Sequence, residues 1–148
     1  MVERFERFSY AIFEISKSWH KLAAEVMGRY ELKGPYAIYL VTLLRSKEPL
    51  TAARLTEICA RDKADVSRAL ADMEKRGMIL RQGTQYRAVL TLTEKGREAA
   101  QQVSQKAALA VELAGKGFSD EERDVFYQVL GTITDNLKTL TREGLTEK

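Results

Sequence analysis

The sequence predicts a mostly α-helical fold with one small β-hairpin, and three observations carry that expectation. Long stretches at both ends repeat apolar residues every three or four positions, the period of a helix with one buried face. Between them, two short amphipathic segments meet at a tight break. Directly after these, residues 78–92 change to short β-type runs around a glycine.

The first element is the most regular. Phe5, Phe8, Ile12, Ile15, Trp19, Leu22 and Val26 form a heptad seam on one long helix ending near Gly28. Phe13, Ala23 and Met27 widen that stripe, so the helix needs more than one neighbour. After Gly34-Pro35, the run Tyr36 to Leu44 is apolar on nearly every side and reads as a buried helix that Glu48-Pro49 stops. Thr51 is placed to cap a short helix turning Leu55, Ile58 and Cys59 inward, and Asp62 to cap a second with Val66, Ala69, Leu70 and Met73 inside. Gly77 supplies the left-handed residue that ends it. Two short helices across a tight turn form a helix-turn-helix. Met78-Ile79-Leu80 and Ala88 to Leu92 then read as strands, with Gly83 giving the positive φ of a hairpin loop. A hairpin in that place is a wing. Thr93 caps a long helix to about Ala114 with Val103, Ala107, Ala110 and Val111 on one side, and Gly115-Lys116-Gly117 breaks it. Ser119 and Glu122 form a capping box for a last helix striped by Phe126, Val129, Ile133, Leu137 and Leu140.

Composition excludes several classes. The 148 residues are 45% hydrophobic and 30% charged with two prolines, enough for a packed core and unlike a disordered tail. One cysteine and one histidine leave no intrachain disulfide and no zinc site, so neither a metal nor a cofactor is expected. The run Tyr36–Leu44 is too short to cross a bilayer. The acids of Met1-Val2-Glu3-Arg4 stand where a signal peptide needs a basic patch, so a reducing cytoplasm is the expected location. The net charge is +3. Residues 61–87 hold seven basic against four acidic groups and are the most basic stretch, a local surface suited to a polyanion.

On a helical wheel of residues 62–76, Ala64, Arg68, Ala71 and Lys75 fall opposite Val66, Leu70 and Met73, with Asp65 and Ser67 on the flanks. Small side chains between two cations permit close approach to DNA, and an arginine there can reach guanine O6 and N7 or a phosphate. An ordinary solvated helix face has the same composition; the wing and the preceding helix favour nucleic acid.

Leu50-Thr51 through Leu55, Val66-Ser67-Arg68-Ala69-Leu70, Met73-Glu74-Lys75-Arg76-Gly77-Met78-Ile79, Arg81 and Leu92-Thr93-Glu94-Lys95-Gly96 together resemble the MarR family of winged helix-turn-helix regulators. The resemblance spans essentially the whole chain. It implies one domain over 1–148, with 1–32 and 97–148 as dimerisation helices around a winged helix-turn-helix lobe at 35–96. It also implies a homodimer on double-stranded DNA, with the helix at 62–76 in the major groove and a small ligand near the junction of the lobes. The DNA-contacting set expected on this basis is Thr51, Lys63, Ala64, Asp65, Ser67, Arg68, Lys75, Arg81, Gln85 and Arg87. The dimer interface is expected from Phe5, Phe8, Ile12, Phe126, Val129, Ile133, Leu137 and Leu140. One departure stands out: the family's wing carries an Asp-x-Arg pair before Leu-Thr, whereas this shorter wing has Thr84-Gln85-Tyr86-Arg87. Arg87 is displaced by one position, which in a strand turns it to the other face. Gln82, Gln85 and Arg87 are the residues available to replace that contact.

Ser16, Trp19, His20 and Tyr36 are the candidates for holding a small aromatic or anionic effector. For each the plainer alternative is core or surface packing, and Cys59, on an inner stripe, reads as an inert packing residue rather than a redox switch. Ser16, Ser18 and His20 share a helix but lack an orienting third group and an oxyanion site, and no Gly-rich phosphate loop occurs, so catalysis is not expected. Two functions remain in view: a sequence-specific transcription regulator, expected to repress, and a winged-helix protein-interaction module without DNA binding. The second is motivated by the short wing and by Asp65 and Asp72.

Overall fold

A computed structural model describes residues 2–145 of the chain. The molecule is mostly helical with a small three-stranded antiparallel sheet. In order it contains α1 (Val2–Gly28), α2 (Ala37–Arg45), β1 (Leu50–Thr51), α3 (Ala52–Cys59), α4 (Lys63–Lys75), β2 (Ile79–Gln82), β3 (Val89–Leu92), α5 (Glu94–Ala114) and α6 (Asp120–Glu143). Two compact units result, residues 1–109 and 110–148.

The core of the first unit forms where the apolar stripes of short elements converge. Met27, Leu40, Leu55, Val66, Leu70, Met73, Met78, Ile79 and Leu90 are almost fully buried, and α5 adds Ala99, Ala100 and Val103. Burial of these side chains, at about 25 cal/mol per Å² of apolar surface, is what holds helices too short to persist alone. Local chemistry places their ends. The Thr51 hydroxyl accepts the Arg54 N–H at 3.1 Å and starts α3. Gly77, at φ +72°, ends α4 in a double-bonded turn: its N–H reaches the Glu74 carbonyl at 3.0 Å and that of Met78 reaches Met73 at 2.8 Å. Thr93 caps α5 by accepting the Gly96 N–H at 3.0 Å, while its own hydroxyl donates to the Gly77 carbonyl.

The sheet order is β1-β3-β2. Leu50 faces Leu90 across β1 and β3, and Arg81 faces Leu90 across β2 and β3. The two-residue strand β1 was not anticipated; it is too short to carry an alternation, and only pairing with Val89 and Leu90 makes it a strand. The hairpin loop also differs from the expectation. Gly83 has the expected positive φ of +98°, but a 3-10 turn at Gln85–Arg87 follows before β3 begins. Arg87 therefore stands in a turn and not on a strand, so the expected change of face does not arise.

Three further expectations are corrected. Ile58 is exposed, because the inner face of α3 is set by Ala52, Leu55 and Cys59 at spacings of three and four. Asp62 occupies the N-cap position of α4 but its carboxylate makes no capping bond. Val111, placed on the inner side of α5, is exposed, since buried positions on that helix end at Val103. Along α1 the seam from Phe5 to Leu22 is also exposed and only Val26 and Met27 enter the core.

In the second unit, Ser119 and Glu122 form the expected capping box at the start of α6. Arg123 bonds the Gly115 carbonyl at 2.9 Å and Glu112 at 3.0 Å, bracing the turn ahead of that helix. None of the described residues of α6 is buried; Phe126, Val129, Leu137 and Leu140 are exposed and Ile133 is half-buried.

Candidate nucleic-acid interface

The face of α4 that looks away from the core carries Ala64, Arg68, Ala71 and Lys75, all exposed, while Val66, Ala69, Leu70 and Met73 are buried. The division follows from the helical period alone. Arg68 is 69% exposed at its side chain and pairs with Asp65, one turn earlier. Such an exposed pair contributes little stability, and it leaves the guanidinium at the surface. Ser67 is exposed on the flank, and Lys75 stands two turns beyond Arg68.

The wing sits against the start of this helix. Lys63 places its ammonium 4.0 Å from the centre of the Tyr86 ring, and the Tyr86 hydroxyl donates to the Lys63 carbonyl at 3.3 Å. Both contacts come from one tyrosine in the 3-10 turn, so that turn is tied to the first residue of α4. A cleft of about 410 Å³ lies between them, with Ala52, Val66 and Leu70 as apolar lining and Lys63, Ser67, Arg81 and Tyr86 as polar lining. Tyr86 was missed in the sequence reading. The available signal was an aromatic residue in a loop otherwise made of polar residues and arginine.

Arg81 is half-buried. Its side chain is 22% exposed, and its Nε lies 3.6 Å from Glu74 with no hydrogen bond of its own. Thr51 is half-buried and its hydroxyl oxygen is engaged in capping α3. Arg87 is exposed in the wing turn, and the side chain of Gln85 lies outside the described residues. Lys63, Arg68, Lys75 and Arg87 thus supply exposed cations on or beside α4; Asp65 pairs with Arg68, while Glu74 lies against Arg81.

No protein-family model matches the sequence, and no curated protein matches it. Solved structures do. A protein from Listeria monocytogenes, crystallised with 26mer DNA, aligns at a TM-score of 0.78 with 21% identity over 94% of this chain and 96% of that one. A MarR transcriptional regulator from Methanosarcina mazei gives 0.78 at 20% identity, over 91% and 92%. The Staphylococcus aureus MarR solved with salicylate and kanamycin gives 0.76 at 20%, over 93% and 94%. The chain has the fold of the MarR regulators. Within a MarR fold, α3 and α4 are the helix-turn-helix and β2–β3 the wing.

The four effector candidates are turned to different neighbours. Tyr36 is 9% exposed and its hydroxyl donates to Asp72 of α4 at 2.9 Å. Burial above all, then the bond to Asp72 and its charge, holds that phenol above the ordinary tyrosine range. His20 folds back on α1, its Nδ1 lying 2.6 Å from the Ser16 carbonyl, which can only accept, so Nδ1 carries the proton. Ser16 Oγ stands 3.2 Å from the same nitrogen, and Trp19 is partly exposed on the seam. Cys59 is buried with its sulfur 3.6 Å from the Thr42 hydroxyl, as a packing cysteine would be. Among the described residues no helix is long and apolar enough to cross a membrane.

Proposed function

We propose that this chain is a sequence-specific DNA-binding transcription regulator of the cytoplasm, acting as a homodimer on a pseudo-palindromic operator and repressing until a small aromatic or anionic molecule releases it. The observation that carries the reading is the outer face of α4. It combines two small residues with Arg68 and Lys75, beside a wing whose turn is tied to the same helix, in a fold that a Listeria protein presents bound to DNA. Homodimerisation is supported by the exposed stripes on α1 and α6. Phe5 is 70% exposed, and Phe8 and Ile12 on α1 and Phe126, Val129, Leu137 and Leu140 on α6 are exposed too, so each helix carries an apolar stripe without a partner within the chain. Residues 1–32 and 97–148 would then serve assembly and residues 35–96 recognition. That a small aromatic molecule acts on the chain draws support from the S. aureus MarR solved with salicylate and kanamycin; Ser16, Trp19, His20 and Tyr36 are the residues we assign to it.

A dimer with two-fold symmetry sets its recognition helices into successive major grooves, so half-site centres should stand about 10 bp apart. The test is a binding selection from genomic fragments followed by titration of the enriched operator. Arg68→Ala should cost about 1–3 kcal/mol per half-site and relax preference at one base pair. Lys75→Ala should weaken all sequences alike and lower the salt slope by about one. The paired Asp65 and Arg68 keep a second reading in view, a protein-interaction module. A chain that enriches no fragment above background, or an Arg68→Ala dimer with unchanged affinity and base preference, gives that reading the lead.

A further inference from the structure

Arg68 has a carboxylate on either side along its own face of α4: Asp65 three residues before and Asp72 four residues after. Both spacings bring side chains together on a helix. Asp65 holds the guanidinium, but Asp72 is taken by Tyr36, whose hydroxyl donates to Asp72 Oδ2 at 2.9 Å from 36 residues away in sequence. With both acids on Arg68 the guanidinium would be engaged from two sides and meet a polyanion poorly. With Asp72 held elsewhere, only one carboxylate competes with DNA for the guanidinium.

Tyr36 is built to hold its position. It closes the 3-10 turn Gly34–Tyr36, and a Cβ on Gly34 would stand 3.0 Å from the Ala24 backbone, so this turn lies directly on α1. The Tyr36 ring is buried and tilts against Tyr39 with 6.3 Å between centroids. A buried phenol in a fixed place dictates the rotamer of an otherwise exposed aspartate.

Resting on the DNA-binding reading, we propose that Tyr36 is a positioning residue for Arg68, keeping that arginine available for base readout by holding the Asp72 carboxylate away from it. Tyr36→Phe keeps the ring and the packing and removes only the donor. The freed Asp72 then becomes a helical partner for Arg68, a pairing strong enough to compete by about twofold per half-site and about fourfold in a dimer.

The experiment is operator titration with the full chain as wild type, Tyr36→Phe, Tyr36→Phe with Asp72→Asn, and Arg68→Ala, each checked for unchanged helicity and dimer mass. Nitrogen-15 spectra of the Arg68 guanidinium are taken without DNA. The expected result is about fourfold weaker binding and relaxed base preference for Tyr36→Phe, restored by adding Asp72→Asn, with a moved Arg68 resonance in Tyr36→Phe alone. A tyrosine that merely fastens α2 to α4 predicts the opposite for the double variant, a loss that Asp72→Asn leaves in place, and that outcome overturns the proposal. So does a silent Tyr36→Phe in a protein whose Arg68→Ala variant loses base preference. If Arg68→Ala is itself silent, the DNA-binding reading fails, and the DNA-free Arg68 resonance still decides whether Tyr36 governs that side chain.

Discussion

Gly96 stands on the third residue of α5, where that helix passes over the backbone leaving α4. A Cβ built at this position lies 1.9 Å from the Met78 carbonyl oxygen and 2.8 Å from its carbon. Ordinary contact begins at 3.4 Å, so Gly96→Ala forces one backbone to retreat by about 1.5 Å along that line, against a core packed like an organic crystal. The oxygen in the way is engaged: it accepts the Thr93 N–H at 3.0 Å, and Thr93 in turn bonds the Gly77 carbonyl and caps α5. Lys95 adds a bond to the Arg76 carbonyl at 3.1 Å. Overpacking of this kind costs about 1–3 kcal/mol, and loosening the Thr93 bond about 1 kcal/mol more. Alanine's better helix propensity returns at most about 1 kcal/mol. The net expectation is a loss of about 2 kcal/mol. In urea, with a slope near 2 kcal/mol per molar, the unfolding midpoint should fall by about 1 M at fixed protein concentration with the slope unchanged. Gly131→Ala is the control, because nothing lies within 4 Å of its Cβ position and it sits inside α6, so that change should be neutral or stabilising. An unchanged midpoint for Gly96→Ala, or an equal loss in both variants, would refute the close-approach argument.

Two other outcomes are expected. Ile12→Glu and Leu137→Glu place a charge in the exposed stripes of α1 and α6, and light scattering coupled to gel filtration should show the intact chain as a dimer and either variant as a monomer or an aggregate; an intact chain that stays a folded monomer at micromolar concentration contradicts the dimer. Burial, before any other influence, raises Tyr39 above the ordinary tyrosine value, so the fold binds its proton more tightly than the unfolded chain does. That contribution is complete below the unfolded value of about 10 and is lost as pH rises through the higher folded value, so thermal stability should fall above about pH 10 and fall less steeply in Tyr39→Phe. Equal alkaline slopes in the two proteins would count against burial as the cause.

How far the sequence was legible depended on whether a feature is local. Thr51, Ser119 and Gly77 act through bonds to residues three to five away, so side-chain type alone located those helix ends. The end of α3 carries no such sign. Ala60 takes the left-handed conformation at φ 49°, where glycine is the usual residue, and Glu31 does so at 57° three residues past Gly28, where α1 was expected to end and does. The turn inside the helix-turn-helix is therefore invisible as a glycine, and its strain, about 1–2 kcal/mol for a residue with a Cβ, must be offset by the packing of Leu55, Cys59, Val66 and Leu70 around it. The same division runs through the candidate site. The outer face of α4 follows from the helical period and was readable in full. What aims that face was not: Tyr86 meets Lys63 across 23 residues and Tyr36 meets Asp72 across 36, and neither pair has a periodic or spacing signature. Both are tyrosines that combine an aromatic body with one donor, and each fixes a charged residue of α4 from a different element. On the proposed reading, recognition by this helix would draw its chemistry from its own small residues and cations, and its aim from two distant phenols.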